Sequence, residues 1–279
     1  MSVNRHTDPD AFLAAAQPAL ARSETAAAAF AAWVGALKAS TAPDGDVYLA
    51  TYAHDRSVGA AMRRPDGPVV FENADPAAAV AFAHDLAADC PRLSGIVGTL
   101  PACESFAHAW SERTGRVHVL RFHMRHFMLT AVADVPAAIG APRVAGDGDC
   151  DWLKEAQYAF LVEVGVSDNP ERIMAAVPRR VAGGHYWIWD DAGAKALAAW
   201  TPAGDDAARI APVYTLPGAR TRGYATALVA ALSRALLAGG RQRLFLLTDV
   251  ANPTSNAVYS RIGFRPQSDI YHFDFVDRD

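Results

Sequence analysis

The strongest constraint on the fold is the run Arg220-Thr221-Arg222-Gly223-Tyr224-Ala225, placed between a strand-like stretch and an amphipathic helix. Residues 210–216 are apolar, aromatic and β-branched over the length of a strand. Beyond the run, Ala227, Ala231 and Ala235 beside Leu228, Leu232 and Leu236 recur at helical spacing. A strand that feeds a helix through a short glycine-containing turn presents free backbone N–H groups, and the positive helix end, to an anion. Arg220 and Arg222 add charge-assisted donors suited to phosphate. The run therefore reads as a cradle for a diphosphate.

Three such cradles are common. A Walker loop needs a Gly-Lys-Ser/Thr ending, and no such triplet occurs. A dinucleotide-binding turn needs Gly-x-Gly-x-x-Gly and an acidic residue about 20 positions later, and neither is met. The third is Arg/Gln-x-x-Gly-x-Gly/Ala, and Arg220, Gly223 and Ala225 match it position by position. That pattern resembles the coenzyme A loop of the GNAT N-acetyltransferase superfamily. A second block follows in order: a buried strand at 244–248, a loop from Asp249, then Asn252-Pro253-Thr254-Ser255-Asn256-Ala257-Val258-Tyr259-Ser260-Arg261-Ile262-Gly263-Phe264. Thr254 or Ser255 caps a helix that Gly263 ends. This block resembles the superfamily's other signature, an Asn, a helix carrying Tyr, then Gly-Phe. On the helix Val258 and Ile262 face the core with Phe264, while Asn256 and Tyr259, three apart, share a different face.

The resemblance implies an α/β (α+β) chain with the GNAT acyl-CoA N-acyltransferase fold, a mixed, mostly antiparallel sheet flanked by helices. It implies acetyl-CoA as co-substrate, its arm lying beside the backbone of Val213, Tyr214 and Thr215, with the Val213 N–H on the thioester oxygen. The segment Arg220, Thr221, Arg222, Gly223, Tyr224, Ala225 and Thr226 would hold the diphosphate. Asn252 and Asn256 would orient the pantetheine or phosphate end, or else only cap their helix. Tyr259 falls where the family places the acid that returns a proton to the departing sulfur; the bland alternative is a buried packing tyrosine. Asp249, Glu163, His185 and Asp190 are candidate bases, a water chain is another, and none is assigned.

The order of elements repeats. In the carboxyl-terminal half helices are expected at 151–164 and 170–182, and strands at 185–189, 194–200 and 209–216. The cradle helix follows, then the strand at 244–248, the Asn/Tyr helix and a strand over 264–275. The amino-terminal half repeats this with helices inside 11–37 and strands near 47–53, 58–63 and 68–72. It continues with a helix at 76–88, a strand at 95–99, a helix at 102–113 and a strand at 117–135. We therefore expect two GNAT-like units in tandem, residues 1–135 and 142–279, joined within the Pro-, Gly- and Ala-rich stretch 136–148. An unrelated amino-terminal α/β domain is the plainer alternative. The first copy should not bind coenzyme A: Glu72-Asn73-Ala74-Asp75-Pro76 stands at its cradle position, acidic where a diphosphate needs positive charge. Its later helix offers Trp110 and no Asn-then-Tyr pattern. That copy is expected to shape the acceptor site or an interface.

Composition narrows the partners. A net charge of −4 gives no general affinity for nucleic acid or anionic membrane. Residues 1–10 lack the apolar core of a signal peptide, and the Ala-rich stretch 11–37 is broken by Gln17, Pro18, Arg22, Ser23 and Glu24, as two helices would be. Cys90, Cys103 and Cys150 are odd in number and lack metal spacing, which points to reduced thiols in a cytoplasmic protein. His118, His123 and His126 fall on two faces of one strand, so no metal site is expected. Tyr186, Trp187, Trp189 and Trp200 either pack the core or line an acceptor pocket. The function expected is acetyl transfer to an amine of a small molecule or protein, and oligomerisation is open. The competing readings are a non-catalytic coenzyme A sensor and, more remotely, a nucleotide-dependent enzyme.

Overall fold

The computed structural model describes residues 3–38, 47–64, 67–71, 74–90, 92–165 and 170–278. Glu72 and Asn73, part of the acidic stretch noted above, lie outside the described residues. The chain divides into two compact units, one of Met1–His126, Leu247–Asn252 and Pro266–Asp279, the other of Phe127–Leu246 and Pro253–Arg265. Among the described residues no helix is long and apolar enough to cross a membrane.

The first unit begins with β1 (Val3–Arg5), α1 (Pro9–Leu20), α2 (Glu24–Lys38), β2 (Tyr48–His54), β3 (Ser57–Arg63) and β4 (Val69–Phe71). It continues with α3 (Pro76–Asp89), β5 (Gly95–Gly98), α4 (Ala102–Thr114) and β6 (Val117–Leu129). Asp8 starts α1 by accepting the Asp10 N–H at 2.8 Å, ahead of Pro9, whose fixed φ suits a first helical residue. Side chains alternate across the sheet with a period of two. Tyr48, Ala50, Tyr52, Val69 and Phe71 join the core under α3 and α4, with Phe82, Phe106 and Trp110. Leu49, Met62 and Val70 join the opposite core under α1 and α2, with Phe12 and Phe30. The sheet runs β1-β2-β3-β4-β5-β12-β6. Its sixth strand, β12 (Arg265–Val276), comes from the far end of the chain and pairs antiparallel with β5 from Tyr271↔Gly98 to Asp274↔Gly95.

The second unit repeats the series. It contains β7 (Ala141–Val144), α5 (Cys150–Glu163), α6 (Pro170–Ala175), α7 (Val177–Ala182), β8 (Tyr186–Asp190), β9 (Ala194–Pro202) and β10 (Ala207–Thr215). Then come α8 (Tyr224–Ala238), β11 (Arg243–Asp249) and α9 (Pro253–Ile262). The order β11-β10-β9-β8-β7 is antiparallel except for the parallel β10–β11 pair. Phe127 and Leu129, at the end of β6, belong to this unit's core with Leu228, Leu232, Leu246 and Phe264.

The structure departs from the sequence expectations in four places. Strands β1 and β7 were not expected; β7 lies inside the stretch read as a linker, and its Pro142 is tolerated on an edge strand. The strand expected over 117–135 ends at Leu129. The helix expected over 170–182 breaks at Ala176 into α6 and α7. Finally, the compact units are not contiguous in sequence: the first takes in the end of β11 and all of β12 but Arg265, and the second takes in the end of β6.

Candidate functional site

Two strands and two helices frame the expected cradle. The parallel register of β10 with β11 covers Ala207↔Arg243 to Arg209↔Phe245, the first three residues of β10. On its other side β10 follows β9 throughout but carries a bulge between Ile210 and Val213. The bulge inserts residues and so reverses which face each side chain takes. Ahead of it Ala208 and Ile210 enter the core under α8 and α9; behind it Val213 packs on that core while Tyr214 enters the core under α5. Tyr214 meets Phe160 edge-on at 6.2 Å. The Thr215 hydroxyl is buried with no hydrogen-bond partner, so the end of β10 holds an unused polar group.

The turn between β10 and α8 contains left-handed backbone. Thr221 has φ of 65° and Gly223 φ of 81°, two left-handed residues flanking Arg222. A β-branched residue in that region is strained, and strain of this kind persists where surrounding structure enforces it, often at functional sites. Gly223 caps α8 without any side-chain cap, and the first bond the cap closes is from the Ala227 N–H to the Gly223 carbonyl at 3.0 Å. The N–H groups of Tyr224, Ala225 and Thr226 thus belong to the open first turn. A Cβ built on Gly223 would sit 3.8 Å from the Cβ of Ala138, which is ordinary contact, so conformation is what demands glycine here.

The two arginines play different parts. Arg220 donates from Nε to the Thr215 carbonyl at 3.2 Å and from Nη2 to Glu163 at 2.6 Å, with its guanidinium 5.6 Å from the Tyr214 ring centroid. It ties the loop to β10 and α5. Arg222 is exposed and has no partner among the described residues. Tyr224 is buried; it stacks on Trp189 at 6.2 Å, and its hydroxyl donates to Asp191. Only the backbone of Tyr224 is left to serve a ligand. Thr226 is buried and Ala225 half-buried.

Tyr259 lies on α9 and is 8 % exposed, in the same core cluster as Val213, Leu216, Ala219 and Tyr224. Its ring meets Phe264 edge-on at 6.0 Å. Its hydroxyl makes no hydrogen bond among the described residues. Burial pushes the phenol up to about 12, so the group keeps its proton throughout the neutral range. Asn256 is half-buried on α9, and Gly263 ends that helix at φ of 109°. Asn252 belongs to the other unit, where its exposed residue closes a turn by donating its N–H to the Asp249 carbonyl at 3.0 Å.

Each candidate base has a partner. Glu163 carries Arg220, and Asp249 accepts the Ala251 N–H at 2.8 Å. Asp190 accepts from Arg143 and from the Gly193 N–H, and the guanidinium holds its carboxyl below the usual range. His185 bonds the Trp200 carbonyl through Nδ1 at 3.1 Å, and burial, opposed by that bond, lowers its basicity. In the first unit His118 packs edge-on against His108 and Phe273, while His126 bonds Ser268. His123 stacks on Tyr271 at 4.4 Å and bonds Asp269, which Arg125 grips with two bonds. Among the described residues no group of three or more His, Cys, Asp or Glu converges as a metal site would.

Comparison with known proteins agrees with this framework. The family model described as FR47-like protein matches residues 188–272, from β8 into β12. A Drosophila protein structure covers 99% of each chain at a TM-score of 0.68 and 16% identity. A GCN5-related N-acetyltransferase from Sphaerobacter thermophilus covers 99% of this chain and 97% of its own at 0.61 and 13%. A tandem GNAT protein from the clavulanic acid biosynthesis pathway covers 99% and 98% at 0.59 and 14%. No curated protein sequence matches. The chain is therefore a GNAT-fold protein. More particularly, it is a tandem one, whose carboxyl-terminal copy holds the family-model match and both sequence signatures.

Proposed function

We propose that the chain is an acetyl-CoA-dependent N-acetyltransferase, with residues 142–279 as its catalytic copy and residues 1–135 as a copy that does not bind coenzyme A. The observation that carries this reading is the left-handed pair Thr221 and Gly223 opening α8, of which Thr221 is strained. Alternating left-handed residues turn successive amides to one side, a concavity suited to phosphate oxygens. The same fold in proteins named as GCN5-related N-acetyltransferase and tandem GNAT supports it.

In this reading the amides from Thr221 to Thr226 and the exposed Arg222 hold the diphosphate, and Arg220 holds the loop. The backbone of Val213, Tyr214 and Thr215 borders the pantetheine arm, with the Val213 N–H on the thioester carbonyl oxygen, where charge accumulates as the amine adds. Asn256 orients the arm. The nitrogen forms its bond to the acetyl carbon, the carbon–sulfur bond breaks, and the Tyr259 hydroxyl gives its proton to the leaving thiolate. The proton shed by nitrogen balances the one delivered to sulfur. The acceptor is an amine of a small molecule or protein, and the protein acts in the cytoplasm, a setting compatible with its three free cysteines.

Thiol release from acetyl-CoA, measured with a panel of amines for wild type and Tyr259→Phe, tests this directly. Amine-dependent release that falls about a hundredfold in Tyr259→Phe supports it. Tight coenzyme A binding with no release above background for any amine would instead leave a non-catalytic sensor.

A further inference from the structure

A separate cavity of about 340 Å³ lies at the opposite end of α8 from the cradle, walled by Val144, Trp187, Trp200, Leu232, Leu236 and Arg241. At 1.5 Å per residue, the helix end beside Gly239 is roughly 20 Å from the turn that precedes Tyr224. A ligand there lies apart from the diphosphate turn. The volume falls within the range of small-molecule sites, which combine mostly apolar walls with a few placed polar groups.

Those polar groups are arginines. The Arg241 guanidinium carbon is 5.7 Å from the Trp200 ring centroid. Its Nη1 is spent on the carbonyls of Asp205, at 2.7 Å, and Gly204, at 3.4 Å. Its Nε and Nη2 have no partner among the described residues. The Trp200 indole is fixed by its Nε1 donating to the Gly184 carbonyl at 3.1 Å, and the His185 ring packs on it at 4.6 Å. Behind Trp200, Arg180 donates to its carbonyl from Nη2 at 3.4 Å and to the Tyr186 hydroxyl from Nη1 at 3.2 Å. Arg180 has no carboxylate among the described residues, and its Nε is buried without a partner. Asp206 also feels the charge of Arg241, but two bonds from Arg243 already engage it. Positive charge around Trp200 therefore exceeds the carboxylate available to balance it, and buried or partly buried cations favour a paired anion.

We infer that this cavity binds a small planar carboxylate, its ring against Trp187 and Trp200 and its carboxyl group on the unused donors of Arg241. An apolar ring gains from the indole and leucine walls, and a carboxylate matches the guanidinium fork. The inference does not depend on the acetyl transfer proposed above.

Indole-3-acetate and its neutral counterpart indole-3-acetamide serve as probes, titrated into the full chain and followed by calorimetry and tryptophan fluorescence. The acid should bind saturably with Kd below about 1 mM and at least about tenfold more tightly than the amide. Arg241→Gln should bring the acid to the affinity of the amide while the thermal melt stays within a few degrees. Saturating coenzyme A should leave acid binding intact. Equal affinity for acid and amide in the wild-type chain, no saturation by about 10 mM, or displacement by coenzyme A would each overturn the inference.

Discussion

Helices α3 and α8 occupy the same place in the repeated order of elements, and they begin in opposite ways. Helix α3 starts with Asp75 and Pro76, and the acid is consumed inside its own unit. Its carboxylate accepts the Val58 N–H at 2.8 Å and Arg22 at 3.0 Å, and its own N–H returns to the Val58 carbonyl. Pro76 has no N–H to offer. Helix α8 starts with left-handed Gly223 and no side-chain cap, leaving its first amides open and Arg222 exposed beside them. The two starts differ in what they leave for a ligand: internal partners occupy Asp75, whereas the first amides of α8 stay open.

Five substitutions press on this contrast, from the strongest expected effect to the weakest. Gly223→Val puts a β-branched residue at φ of 81°. The turn should rearrange, and kcat/KM for acetyl-CoA should fall by about a hundredfold or more, as when aligned backbone donors are lost elsewhere. The space around Gly223 is open, so the melting temperature should drop only a few degrees. An unchanged KM and kcat would show that the turn does not hold the co-substrate.

Tyr259→Phe should lower kcat by about a hundredfold with KM for acetyl-CoA unchanged. It also has a signature in stability. Burial raises the folded phenol from 10.0 to about 12, so its contribution is fully present below pH 10 and lost as pH rises through about 12. Alkaline denaturation across that window should be steeper for wild type than for Tyr259→Phe, and identical curves would contradict the burial.

Arg222→Ala and Arg220→Ala should separate binding from support. Loss of the exposed Arg222 should raise KM about tenfold without moving the melting temperature. Loss of Arg220, which ties Thr215 and Glu163, should loosen the loop and affect KM and kcat together. Equal behaviour of the two variants would erase the division of labour drawn here.

Asp75→Ala should leave coenzyme A binding unchanged and cost about 1–2 kcal/mol of stability in the first unit. Desolvation opposes the Asp75 charge, but the Val58 N–H and Arg22 outweigh it and hold the carboxyl below its ordinary range. Its contribution is therefore present above the unfolded pKa and lost as pH falls through the lower folded value. The gap between wild type and Asp75→Ala, measured by denaturant melts, should be constant near neutrality and close below about pH 4.

Most of the framework was legible because hydrophobic period and glycine placement carry it. Helices α8 and α9, strands β8 to β11 and the repeated order follow from apolar spacing and from Gly223 and Gly263. Strand β1 was hidden by its three polar-flanked residues, and β7 by Pro142. The bulge that puts Val213, in place of Tyr214, on the face of Ile210 leaves no mark in residue types. Nor does the left-handed Thr221, since nothing in the sequence argues for strain at a threonine. Arg220 was read as a phosphate donor, while its nearest partners are Thr215 and Glu163, brought there by β10 and α5. The aromatic quartet divided only on folding: Tyr186 and Trp189 pack the core, whereas Trp187 and Trp200 line the cavity at the far end of α8. Such pairings depend on tertiary neighbours, which periodicity does not encode.

The most direct test of the central claim is calorimetric titration of the full chain with coenzyme A, beside Gly223→Val and Asp75→Ala. The account predicts one bound molecule per chain, retained in Asp75→Ala and abolished in Gly223→Val. Two molecules per chain, no heat at all, or binding that survives Gly223→Val would contradict it.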